Sequence, residues 1–283
     1  MRKNKLLLLL ALLLTAATGA RAAWTGGTYT ATANENLGAI TVNGDATLTI
    51  NPDVTVTVSG GIVVAEGKTL TITGGTVSGG KAATTGGNIA LGGMESTEAG
   101  AWPFWCFMTI EGTVIDGTAA MGGTNIHGGA YTDVTLNGAT TNGSLFTANN
   151  GILTVTGATT TEKILLGNHN TDETLTVNFT GLTGTAPITV DAYVPGTIAT
   201  ATEQDMALLT AVEGKSLSFN EGNVILDAGE AIEIATAAQL TEITVEPYSA
   251  ATYAINSQLN GQYLYIKRGT SVTVILNGEK QTY

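Results

Sequence analysis

His127, in the stretch TNIHGGAYTD, has a phenol and a carboxylate within six residues, Tyr131 and Asp133. An imidazole exchanges a proton near neutral pH, and a carboxylate beside it can orient it or share acid and base work on a glycosidic bond. The other histidine, His169 in GNHNTDE, has Asp172 close by and little else. Glycoside hydrolysis asks for two carboxyl groups facing each other about 5 to 9 Å apart. Asp45 and Glu66 stand 21 positions apart, each at a turn before a similar strand phrase, and read more simply as solvated turn residues. Asp116 and Asp133 stand 17 apart and share no motif position. No catalytic set is therefore assigned, and the candidates reduce to His127 and Asp133.

A second chemistry resides in GAWPFWCFM, Gly100 to Met108, where two Trp, two Phe, a Met and the chain's only Cys fall within nine residues. Four such rings represent on the order of 600 to 1,000 Å² of surface, more than a monomer ordinarily exposes in one patch, so at least two must be buried. Met108 opens a strand phrase with its side chain inward. Period-two alternation then puts Phe104 and Cys106 inward as well, and Trp105 and Phe107 on the other side. Pro103 withholds a backbone donor and assigns Trp102 to a loop. In the plainer reading the loop folds back and staples itself to the fold with aromatics, and Cys106 is a small buried hydrophobe. In the sharper one Trp102, Trp105 and Tyr131 stay open as platforms for sugar rings. No metal site, cofactor loop or nucleophile signature accompanies them: GxxxxGK[ST], HExxH, paired Cys and GGxGxD are all missing, and lone carboxylates such as Asp53 would hold calcium only weakly.

Around these residues the chain is Gly, Thr, Ala and Asn, with 37 Gly against 5 Pro, a mix that favours short strands and tight turns. Its 43% hydrophobic content suffices for a large core. Arg2, Lys3 and Lys5 precede an apolar run from Leu6 to Leu14 and small residues ending in Ala20-Arg21-Ala22, the pattern of a secretory signal peptide over 1–22. That run is too short to span a bilayer, and no later segment is long enough, so no membrane span is expected after its removal. The remaining chain carries seven basic residues against 23 acidic ones, a net charge of −16 that repels nucleic acid and anionic lipid. A single Cys forms no internal disulfide, so another device must hold this exported chain together.

That device is a repeat. LTITGGTVSGGKAATTGGNIALGG, from Leu70, aligns with MTIEGTVIDGTAAMGGTNIHGG, from Met108, at an offset of 38. The strand phrase recurs at Leu48, Leu70, Met108, Val134, Leu153 and Leu175, a period near 22 with one insertion that contains the aromatic stretch. Each phrase alternates an apolar residue with Thr, so apolar side chains face in and hydroxyls face out, and Gly-rich turns separate the phrases. Units that cannot bury an apolar face alone must stack. The expectation is all-β: a single-stranded parallel β-helix solenoid over 23–235, with 236–283 as a short irregular C-terminal β cap or the start of a further module. Thr202, three residues before Asp205, predicts a short capped helix, and SLSF and NVIL are expected to continue the parallel strands.

The GGNI and GGTNI turns with LTITGGTVSGG resemble the right-handed parallel β-helix regions of bacterial secreted, cell-surface and adhesin-like proteins, which share the pectate lyase-like solenoid. The resemblance covers Asn36 to Asp227 and supplies the handedness. NIHGG is also similar to a Gly-His-Gly element of pectin-degrading hydrolases, whose neighbouring acids and basic partner are missing here. What it implies is a secreted or surface-exposed structural or adhesive protein, contacting a polysaccharide or host surface through 101–108; the alternative is a polysaccharide-active lyase or hydrolase.

Overall fold

The computed structural model describes residues 24–79, 89–91, 105–116, 124–148, 150–168, 174–227, 229, 232–234, 250–255, 271–276 and 279–282. Trp102, Phe104, His169, Asp172 and the expected signal peptide, 1–22, lie outside them. The fold is all-β with long parallel sheets. Strands β1 (Gly27–Ala31), β2 (Glu35–Asn36) and β3 (Ile40–Val42) start three ribbons, and the chain returns to each ribbon in turn. Strands β4 (Ala46–Ile50), β5 (Thr55–Thr57) and β6 (Ile62–Val64) pair in parallel with them one for one. The cycle repeats with β7 (Thr69–Thr73), β8 (Thr76–Ser78) and β9 (Ile89–Leu91), then with β10 (Cys106–Glu111), β11 (Val114–Asp116) and β12 (Thr124–Gly128). After β13 (Thr132–Asn137), the long β14 (Thr140–Ala148) pairs with both β11 and β12 and so joins the second and third ribbons into one sheet. Strands β15 (Ile152–Gly157), β16 (Thr160–Gly167), β17 (Thr176–Leu182), β18 (Ile188–Ala192), β19 (Gly196–Thr200) and β20 (Leu209–Ala211) complete the parallel part.

Alternation is the physical reason for this order. Leu48, Ile72, Ile110, Leu136, Val155 and Phe179 stand in register across six strands of the first ribbon, all buried in one core. Burying each such side chain contributes roughly 1.5–3 kcal/mol. The outward side carries a matching row, Thr28, Thr47, Thr71, Thr109, Thr135 and Thr154, which Asn178 and Thr200 continue. The alignment of these two segments holds, with a one-residue gap between its ends, since Met108 lies beside Leu70 and Ile126 beside Ile89. Two other steps differ: Leu48 pairs with Ile72, not Leu70, and Leu153 with Val177, not Leu175. A two-residue slip keeps the apolar side inward, so the core tolerates it where a one-residue slip would not.

Three further features position the surface. Asn125 occupies a bulge in β12 and turns inward, its amide donating to the carbonyl of Ile115 at 3.1 Å; Gly143 gives it room, because a Cβ there would lie 3.1 Å from that of Asn125. Helix α1 (Glu203–Met206) opens with the capping box foreseen at Thr202 and Asp205, and the Asp205 carboxylate also accepts from the N–H of Leu182 at 2.7 Å. Asp191 of β18 points outward by alternation yet is buried, because the turn from Val212 to Lys215 brings the Lys215 ammonium to 2.6 Å from its carboxylate.

In the first ribbon the parallel order ends at β19. Strands β21 (Leu217–Asn220) and β22 (Asn223–Leu226), the SLSF and NVIL phrases, form an antiparallel hairpin, and β22 pairs antiparallel with β19. Only Glu221 and Gly222 separate them, both at positive φ as a type I′ turn requires, and a parallel crossover needs a dozen or more residues. Strands β23 (Ile232–Ile234), β24 (Ala250–Ile255), β25 (Ser271–Leu276) and β26 (Glu279–Thr282) make a separate four-stranded sheet whose last pair is antiparallel. Among the described residues no helix is long and apolar enough to cross a membrane.

Candidate binding surface

The strand that begins at Cys106 sorts its aromatics as alternation dictates. Cys106 and Met108 are buried, the Cys106 thiol donating to the carbonyl of Ala65 at 3.3 Å, while Phe107 between them is 42% exposed. Trp105, two residues before Phe107, is half-buried and shares its side of the sheet.

Register then assembles a grid. Phe107 lies beside Asp133 on β13, and Asp133 beside Ile152 on β15. One step back along the strands, the N–H of Cys106 bonds the carbonyl of Tyr131 and the N–H of Tyr131 bonds that of Asn150, so the backbone of Tyr131 is tied to the chain on either side. The rings of Trp105 and Tyr131 meet edge to face at 5.9 Å and 79°, a favoured aromatic geometry. The Asn150 amide donates to the Tyr131 hydroxyl at 3.3 Å. Tyr131 and Asn150 both hold positive φ, 56° and 55°. For a bulky residue such as Tyr131 that conformation costs roughly 1–2 kcal/mol, which the ring contact and the two backbone bonds offset. Burial raises the pKa of Asp133 above the ordinary carboxylate value.

This surface offers one open aromatic face, a second ring fixed at right angles to a phenol, and an amide and a carboxylate within a strand's width. Apolar platforms stack on C–H faces, and the polar groups can exchange hydrogen bonds with hydroxyls. Trp105, Tyr131 and Asp133, three of the residues singled out in the sequence, are brought together. Phe107, placed outward but given no role, is the most open of them. Asn150 carries no signal of its own in the sequence and joins the site through its bond to the Tyr131 hydroxyl.

His127 is not part of this grid. It lies on β12, between Ala90 and Phe146 in register, on the other side of the corner formed by 129–131, whereas Asp133 belongs to the first ribbon. Burial lowers its pKa to about 4, so the ring is neutral at neutral pH. Among the described residues no group of three His, Cys, Asp or Glu could hold a metal ion. The shift has a consequence for stability. Because the folded pKa lies below the ordinary 6.5, the contribution is complete above about pH 6.5 and disappears as pH falls towards about 4, a loss of up to about 3 kcal/mol. His127→Gln is expected to remove this part of the acid sensitivity, measured as the difference in urea midpoint between pH 7 and about pH 4.5. Equal acid sensitivity in both proteins would mean that the ring titrates normally.

No protein-family model, curated protein or solved structure matches this chain.

Proposed function

We propose that the protein is an exported, right-handed parallel β-helix scaffold that adheres to glycan-bearing surfaces through the grid around Phe107, without catalysis of its own. The grid itself carries this reading: Trp105, Phe107, Tyr131, Asp133 and Asn150 converge on one outward surface of the first ribbon, held by backbone register. The three-ribbon cycle and the apolar core it encloses among the described residues support the β-helix, and the leader pattern of 1–22 supports export. The acidic balance of 23 Asp and Glu against 11 Lys and Arg disfavours anionic partners. A hydrolase or lyase is less well supported, because His127 and Asp133 belong to different ribbons.

The experiment is a fluorescence titration of the purified chain with soluble neutral and acidic polysaccharides. A saturable shift is expected with neutral ones, and Phe107→Ala and Trp105→Ala should each weaken it about tenfold, about 1.4 kcal/mol. Phe107 is the cleaner test, since an exposed ring can be removed without touching the core. Binding that ignores both substitutions would overturn the proposal.

A further inference from the structure

The same outward surface holds a second recess. Where β17 meets β19 the two strands share a single register pair, Asn178 beside Thr200, and then part. A cleft of about 420 Å³ opens at that point, lined by Thr154, Asn178, Thr180, Thr200 and Thr202 with Phe179 and Ala201 between them in the chain. Its polar lining is hydroxyl and amide only. Thr200 donates to the Asn178 carbonyl oxygen at 2.8 Å, which aims the Asn178 NH₂ group away from Thr200.

The cleft and the aromatic grid occupy one side of one sheet. Strand order runs β10, β13, β15, β17, β19, so Phe107 and Thr200 stand four strand spacings apart, about 19 Å at the usual spacing. Between them Ile152 and the pair Thr135 and Thr154 pave the surface in register. Along this path Asp133 is the one charged side chain among the grid and cleft residues named.

We infer that grid and cleft are the two ends of one elongated site for a neutral oligosaccharide lying across the strands: rings stack at Phe107 and Trp105, and hydroxyls are taken up by Asn178 and Thr200. The inference rests on the glycan reading of the grid and adds ligand length, polarity and direction to it. One sugar ring cannot reach both ends. Uronate chains would bring carboxylates to Asp133 on an already acidic protein and are excluded by that charge.

The test is calorimetry on the purified chain with cello- and malto-oligosaccharides from the monosaccharide to the hexasaccharide, and with oligogalacturonates as the acidic comparison. Affinity for at least one neutral series is expected to climb with length. The double variant Asn178→Ala/Thr200→Val, which removes both members of a hydrogen-bonded pair and so strands neither, should cost the hexasaccharide about tenfold and leave short oligomers unaffected. Thr154→Val/Thr180→Val, two surface hydroxyls replaced by an isosteric side chain, should flatten the length dependence in the same way if the first variant folds poorly. Length-independent binding that Phe107→Ala abolishes would overturn the elongated site and leave the grid intact. The elongated site fails equally if length matters but neither cleft variant changes it, or if oligogalacturonates bind more tightly. Absence of binding by every neutral oligomer would overturn the grid reading itself.

Discussion

Asp191→Ala is expected to remove about 3 to 5 kcal/mol of folding stability, the usual cost of stripping one partner from a buried ion pair. The two side chains are 3% and 8% exposed and their charged atoms lie 2.6 Å apart, so the Lys215 ammonium left behind would have neither carboxylate nor ready access to water. The position explains why both charges are tolerated. Asp191 lies on the outward side of β18, and the turn from Val212 to Lys215 closes over it, aided by Gly214 at φ 82°, the value a type II turn demands at its third residue. Replacing both partners, as in Asp191→Leu/Lys215→Met, should be close to neutral. Urea unfolding of the single and double variants measures the difference. A single-variant cost below about 1 kcal/mol would place the pair in the class of solvated surface bridges.

Phe179→Ala is expected to cost a similar amount, about 3 to 5 kcal/mol, for a different reason. Phe179 is 1% exposed and ends the inward row that begins at Leu48, with Val155 beside it in register. Its neighbours belong to a stacked sheet whose hydrogen bonds fix their spacing, so the vacated volume cannot easily collapse, and a cavity adds to the lost transfer free energy. Because the ring faces the core, away from the outward cleft, the substitution should lower the urea midpoint, while Phe107→Ala reduces affinity alone. A small change in midpoint for Phe179→Ala would mean that the site repacks.

How much of this was legible in the residues depends on which force set each feature. Alternation of Thr with Leu, Ile and Val fixed the sides of the strands, because period two decides what is buried; the outward Trp105 and Phe107 and the inward Cys106 follow from it. Repeat spacing fixed the neighbours of Met108 and Ile126, where the motifs are long. It misplaced Leu48 and Leu175 by two residues, since LTI and LTV phrases are satisfied equally by either inward apolar residue, and turn lengths decide between them. The hairpin of SLSF and NVIL was missed through the strength of the repeat, although Glu221-Gly222 is too short a link for a parallel return. The cleft near Asn178 could not be foreseen: it arises where β17 and β19 diverge, a matter of three-dimensional packing. The buried Asp191–Lys215 pair has the same character, because alternation alone would put Asp191 in water.

The hairpin of β21 and β22 has a consequence for how the chain folds. In the parallel part each strand finds its partner only after the chain has passed through the other ribbons, so every new pairing first closes a loop on the order of 20 residues at an entropic cost. The hairpin closes across two residues, Leu217 with Leu226 and Phe219 with Val224, and needs no such excursion. It also presents β22 as a ready edge to β19. Order should therefore start at this end of the first ribbon and travel towards Gly27 strand by strand, so that pulsed hydrogen exchange during refolding would protect Asn223 and Ile225, whose amides face β21, before Leu48.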